Sequence, residues 1–145
     1  MDRRGTALSA GVVVDASVGF AWVYPQQATS ETARLLAEVA AGQAVVVPAL
    51  WFLEMANVLL IAQRRRRITA AQRKIALEML LGMQFTLDEE AGRNAFGRIS
   101  ELAEAHGLSV YDETYLELAL RRKLPLASRD EQLRSAAKRC GIKVI

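Results

Sequence analysis

A chain of 145 residues with 19 Lys+Arg, 16 Asp+Glu and a formal charge of +3 suits one domain with a buried core and is short for two. Hydrophobic residues make up 52% and prolines number only three, which excludes disordered and collagen-like chains. A single Cys140 and a single His106 exclude a disulfide scaffold and a Cys/His zinc site, so any hydrolytic chemistry falls to carboxylates and a hard cation.

Met1-Asp2-Arg3-Arg4 precedes the apolar stretch Ala7 to Val14, but Asp15 ends it too early for a signal segment. No later run approaches the ~18 apolar residues of a membrane span. The expectation is a cytoplasmic chain with a flexible N-terminal extension over residues 1–10 and one continuous domain over residues 11–145. Gly11 to Val14 is β-branched and predicts a buried strand ending at Asp15. Ser17 then offers an N-cap for a short helix stopped near Pro25. Leu35, Leu36, Val39 and Ala40 recur at helical spacing up to Gly42, and Ala44 to Pro48 reads as a second buried strand.

Trp51 to Gln63 is the most apolar helix, with Trp51 and Phe52 expected in the core or on a dimer surface. The Arg64 to Arg67 run follows, suited to a helix C-terminus or to a nucleic-acid or partner contact. Thr69 and Gln72 form a capping box for a helix through about Leu81. Phe85 to Leu87 predicts a brief strand, and Glu89 to His106 one helix that leaves His106 exposed in its last turn. Leu108 to Val110 is a short apolar run, Asp112 to Arg122 a helix, and Pro125 to Ala127 a strand. Asp130 to Cys140 reads as the last helix and Ile142 to Ile145 as the last strand. Short apolar strands alternating with helices imply an α/β fold, a three-layer α/β/α sandwich around a mainly parallel sheet.

Four acids stand out by placement. Asp15 follows Val12 to Val14, Asp130 follows Pro125 to Ser128, and Asp112 follows Leu108 to Tyr111, where open parallel sheets bind ligands. Glu54 lies in a helix with hardly another charge. An ionised carboxylate on an apolar helix costs several kcal/mol unless a partner or metal offsets it. One shared cation site accounts for all four, and oxygen ligands with retained waters are what Mg²⁺ or Mn²⁺ prefers. Taken singly, Asp15 and Asp130 also suit N-caps, Asp112 suits the start of its helix, and Glu54 an Arg partner. Asn57 shares a helix face with Glu54, and Ser17 and Ser128 each lie two residues from an acid, so all three are candidates for contact with substrate or with the ligating carboxylates. Fifteen of the cations are Arg, whose planar fork matches phosphate. Arg121, Arg122 and Lys123 repeat the ambiguity of Arg64 to Arg67.

In order, the chain carries Val-Val-Val-Asp15-Ala-Ser17, Glu54-Met-Ala-Asn57, Val-Tyr-Asp112-Glu-Thr-Tyr115-Leu-Glu-Leu-Ala119 and Pro-Leu-Ala-Ser128-Arg-Asp130. Over residues 12–145 it resembles PIN-domain ribonucleases, specifically VapC-type toxins of toxin–antitoxin pairs. The resemblance implies a PIN-like fold and a catalytic quartet of Asp15, Glu54, Asp112 and Asp130. It also implies a Mg²⁺ (or Mn²⁺) ion on Asp15, Asp112 and Asp130, with Glu54 close by or reached through water. RNA as substrate, a homodimer without membrane contact, and a VapB-type antitoxin complete the implied set. Ser128 stands where many relatives carry Thr, and Glu113 where a small residue is common. Leu116 and Ala119 are expected in the core, and Tyr115 packs with its hydroxyl near the site.

Two other readings stay open at this point. An aspartyl-nucleophile phosphatase would carry a second Asp two residues after the first, where this chain has Ser17. A non-catalytic PIN-like binding module would have no need of four intact acids.

Overall fold

Valine runs at two places in the chain set the sheet, which the computed structural model places within the described residues 10–145. Strands β1 (Val12–Val14), β2 (Val45–Pro48), β3 (Thr86–Asp88) and β4 (Leu126–Ala127) lie parallel in the spatial order β3-β2-β1-β4. Val13 pairs with Val46 on one side and Leu126 on the other, and Pro48 lies opposite Asp88. Every residue of β1, β2 and β4 is buried, as expected of strands covered on both faces. The expected extension over residues 1–10 lies outside the described residues except for Ala10.

Helices α1 (Ala16–Val23), α2 (Ser30–Ala40), α3 (Ala49–Arg64), α4 (Ala70–Leu81), α5 (Ala91–Asn94), α6 (Ser100–His106), α7 (Val110–Arg122) and α8 (Glu131–Arg139) flank the sheet and complete an α/β/α fold. From β1 the chain steps outward to β2 and β3, then returns past β1 to β4. Such a reversal leaves a crevice beyond the carboxyl ends of the strands, here beside β1. α7 crosses β1, β2 and β4 with seven consecutive buried residues, Glu113 to Ala119. Leu116 and Ala119 are in the core as expected. α1 and α3 meet at Gly19, where an added Cβ would fall 2.7 Å from the Trp51 ring and 2.8 Å from the Met55 sulfur. A helical glycine costs about 1 kcal/mol against alanine, and here it permits the close approach.

Several local expectations need correction. Asp15, not Ser17, caps α1, because the Ser17 hydroxyl is itself bound to the Asp15 carboxylate. The apolar run Leu108 to Val110 leads into α7, which starts at Val110 and not at Asp112; Ser109 caps it by accepting from the Asp112 N–H, so Asp112 sits in the first helical turn. The expected helix from Glu89 to His106 is broken by a π-helical stretch, Ala95–Ile99, in a segment weakened by Gly92 and Gly97. The last strand is reduced to one parallel bridge, Leu126 to Val144. The Thr69 and Gln72 capping box forms as read, Trp51 is buried and Phe52 exposed. Arg65, Arg66 and Arg67 are exposed after α3, with Arg67 over the Tyr24 ring.

Candidate active site

Asp15 leaves β1 at its carboxyl end and turns the chain into α1. Its Oδ1 accepts from the Ser17 hydroxyl at 2.6 Å and the Val18 N–H at 3.2 Å, while Oδ2 accepts from the Ser128 hydroxyl. Ser128, just past β4, accepts in turn from the Asp130 N–H at 3.0 Å, and Ser17 accepts from the Arg129 N–H at 2.9 Å. Two serines thus lace the ends of β1 and β4 together: Ser17 holds the acid that the sequence placed beside it, while the Ser128 hydroxyl holds the distant Asp15 and not the carboxylate of neighbouring Asp130. Asp130 caps α8 by accepting from the Leu133 N–H through Oδ1.

The other two acids arrive on helices. Asp112 is part-buried in the first turn of α7, and Glu54 is part-buried on α3, its Oε1 accepting from the Tyr115 hydroxyl. Tyr115 lies one turn after Asp112 on α7, so one helix face presents an acid and a phenol together. Asn57 is exposed on α3 and hydrogen-bonds to none of the four acids.

The electrostatics tie these positions into one neighbourhood. Burial raises the Asp15 carboxyl above its ordinary value against the pull of Ser128, Ser17 and the Val18 N–H. Burial also raises Glu54, with Asp112 and Asp15 adding like-charge repulsion. Asp112 is raised by burial and by Asp130 and Asp15. Among the described residues, no Lys, Arg or His forms an ion pair with any of the four.

Carboxylates gathered against mutual repulsion, desolvated and without a basic partner, have the chemistry of a divalent-cation site. Among the described residues, no group of three or more His, Cys, Asp or Glu side chains is placed to hold a metal ion. Mg²⁺ does not need one: it keeps several waters and takes one or two carboxylates with substrate phosphate. Asp15, Asp112 and Asp130, which repel one another across the crevice, are the carboxylates whose chemistry suits such an ion, and Glu54 feels the charges of Asp112 and Asp15 beside them.

Two further buried acids, Asp88 and Glu117, escaped the sequence reading, and the partner of Glu113 did too. Asp88 ends β3 and receives Arg121 at 2.9 and 2.8 Å and Arg122 at 3.0 Å. Glu117, fully buried, pairs with Arg121 and Arg98. Glu113 points away from the quartet and meets His106 Nδ1 at 2.7 Å, so His106 is part-buried and not the exposed residue expected. The spacing of Glu113, Glu117 and Arg121 along one face of α7 was the available signal.

A family model described as the PIN domain matches residues 12–139. Similar solved structures include PAE2754 from Pyrobaculum aerophilum, 21% identical over 92% of this chain and 83% of that one, with a TM-score of 0.68. FitAcB from Neisseria gonorrhoeae is 17% identical over 92% of this chain and 96% of that one, with a TM-score of 0.64. VapBC2 from Rickettsia felis, bound to a DNA fragment from its promoter, is 9% identical over the same shares with a TM-score of 0.64. At these identities the likeness is one of fold. No curated protein matches the chain.

Proposed function

The chain belongs to the PIN-domain family, and from that premise we propose that it is a Mg²⁺- or Mn²⁺-dependent endoribonuclease, the VapC-type toxin of a toxin–antitoxin pair. The observation that carries the reading is that Asp15, Glu54, Asp112 and Asp130 share one repulsive neighbourhood at the carboxyl edge of the sheet, with no basic partner among the described residues. Asp15, Asp112 and Asp130 would hold the cation and Glu54 would take a proton. A divalent ion bound there supplies a polarised water and neutralises charge on the scissile phosphate.

The chain's own residues set the rest. Ser17 and Ser128 fix the Asp15 oxygens, so that acid cannot swing away from the crevice. Glu54 accepts the proton of the attacking water as the oxygen–phosphorus bond forms. The phosphorus–oxygen bond to the leaving group breaks in line, and solvent protonates the departing oxygen. No covalent enzyme intermediate is needed. Exposed Arg129, next to Asp130, donates Nη1 to the Gln27 carbonyl, and its other guanidinium N–H groups would meet flanking phosphates.

Two of the similar structures, FitAcB and VapBC2, are named as two-component assemblies, one of them with promoter DNA. That supports a VapB-type antitoxin as partner; the proposal adds that its tail enters the acidic groove and that the toxin acts as a homodimer in the cytoplasm. No helix among the described residues is long and apolar enough to cross a membrane. The test is cleavage of total cellular RNA with and without Mg²⁺, comparing wild type with Asp112→Asn. The proposal expects metal-dependent cleavage that the variant lacks while its far-UV spectrum is unchanged; full activity in that variant would sink it.

A further inference from the structure

We infer that Tyr115 is the positioning residue for Glu54: its phenolic hydroxyl donates to Oε1, fixing the side chain and leaving Oε2 as the unclaimed oxygen of the proton acceptor. The inference rests on the nuclease reading above and adds to it a residue that the acidic quartet does not include.

The geometry argues it in three steps. Glu54 projects from a stretch of α3 that exposes Phe52 and Leu53, so little packing restrains its long side chain on that side. Its hydrogen-bond partner is the Tyr115 hydroxyl, 61 positions away in sequence on α7. Tyr115 is only 1% exposed, and its ring packs in the main core, so the donor sits on a rigid mount. A flexible carboxylate is thereby held by a group with few rotamers, and the same helix that carries Asp112 sets its orientation.

The charges around Glu54 give the contact a second consequence. Asp112 from α7 and Asp15 after β1 face it with like charge, and burial opposes its ionised form more strongly still. Among the described residues, Tyr115 is the neighbour that favours the carboxylate. Burial, with the charges of Glu54, Asp15 and Asp112, keeps the phenol protonated far above its ordinary range, so it remains a donor at every working pH.

Tyr115→Phe retains the ring and removes the donor. For the full chain cleaving RNA in Mn²⁺, the expected result is a kcat at least about tenfold lower, with KM and Mn²⁺ affinity within about twofold of wild type. Against Glu54→Gln, the double variant should be no slower than Glu54→Gln alone, because both changes act through one group. In the metal-free protein, the Glu54 carboxyl carbon resonance should titrate about one pH unit higher in Tyr115→Phe. Multiplicative losses in the double variant, or an unmoved Glu54 midpoint, would overturn the assignment. A wild-type protein that cleaves no RNA would count against the nuclease reading, and the Glu54 titration would still decide for or against the Tyr115 contact.

Discussion

Two groups of buried acids share this small domain and are treated in opposite ways. Asp88 and Glu117 are 1% and 0% exposed, and each is met by Arg121, with Arg122 and Arg98 closing the network. Asp15 is nearly as buried, yet among the described residues it, Glu54 and Asp130 receive hydroxyls or backbone N–H groups, and no cation pairs with them or with Asp112. The first arrangement satisfies its charges within the chain. The second leaves like charges facing one another at a crevice, where their carboxyls are raised and a counter-charge from outside would relieve the repulsion.

That contrast is broken most severely by exchanging the acids' roles. Asp112→Asn should abolish RNA cleavage and leave folding intact, while Asp88→Asn should leave the chemistry of any folded molecules intact and weaken the fold. Removing Asp88 strands Arg121 beside Glu117 alone and costs about 2–3 kcal/mol, reduced from the fully buried case because Arg121 keeps some solvent. Urea unfolding measures it. A Asp88→Asn protein as stable as wild type would mean that the arginine network contributes nothing.

The strand-end acids also mark what a sequence can show. β1, β2 and the capping box at Thr69 were legible because β-branched runs and local side-chain-to-backbone bonds act over a few residues. Asp15 and Asp130 were legible for the same reason. Asp88, however, ends a strand just as Asp15 does, and nothing local separates the acid that Arg121 will neutralise from the one that stays bare. The partner lies 33 residues away and is chosen by where α7 crosses the sheet. His106 shows the same limit: its helix-end position was read correctly, and its burial against Glu113 depends on how α6 packs on α7. Asp112 reached the site through a helix cap at Ser109, although strand logic had singled it out.

Added cation should sharpen the comparison next. Binding to the folded state alone stabilises by RT ln(1 + [L]/Kd), about 2.7 kcal/mol at a hundredfold excess over Kd. Mn²⁺ should therefore raise the thermal midpoint of wild type and of Lys143→Ala, an exposed surface control, by several degrees, and leave Asp112→Asn nearly unmoved. An equal rise in all three would assign the ion to the general surface and not to the crevice.

The smallest effect is the most specific, because the two acid groups have opposite linkage signs. Burial pulls Asp88 upward, but Arg121 and Arg122 prevail and hold it below its ordinary value. Its contribution is present above the unfolded value and is lost as pH falls through the folded one. Asp15, Glu54 and Asp112 are raised, so their contribution is complete below the unfolded value and is lost as pH rises through the folded one. In metal-free protein, Asp112→Asn should thus gain stability on wild type as pH climbs from the ordinary aspartate range toward neutrality. Solvent at this part-buried position limits the gain to about half a kcal/mol. Asp88→Asn should do the reverse, its deficit closing as pH drops. Paired urea titrations across that range read both slopes, and parallel slopes would mean that the crevice acids carry no excess negative charge for a cation to answer.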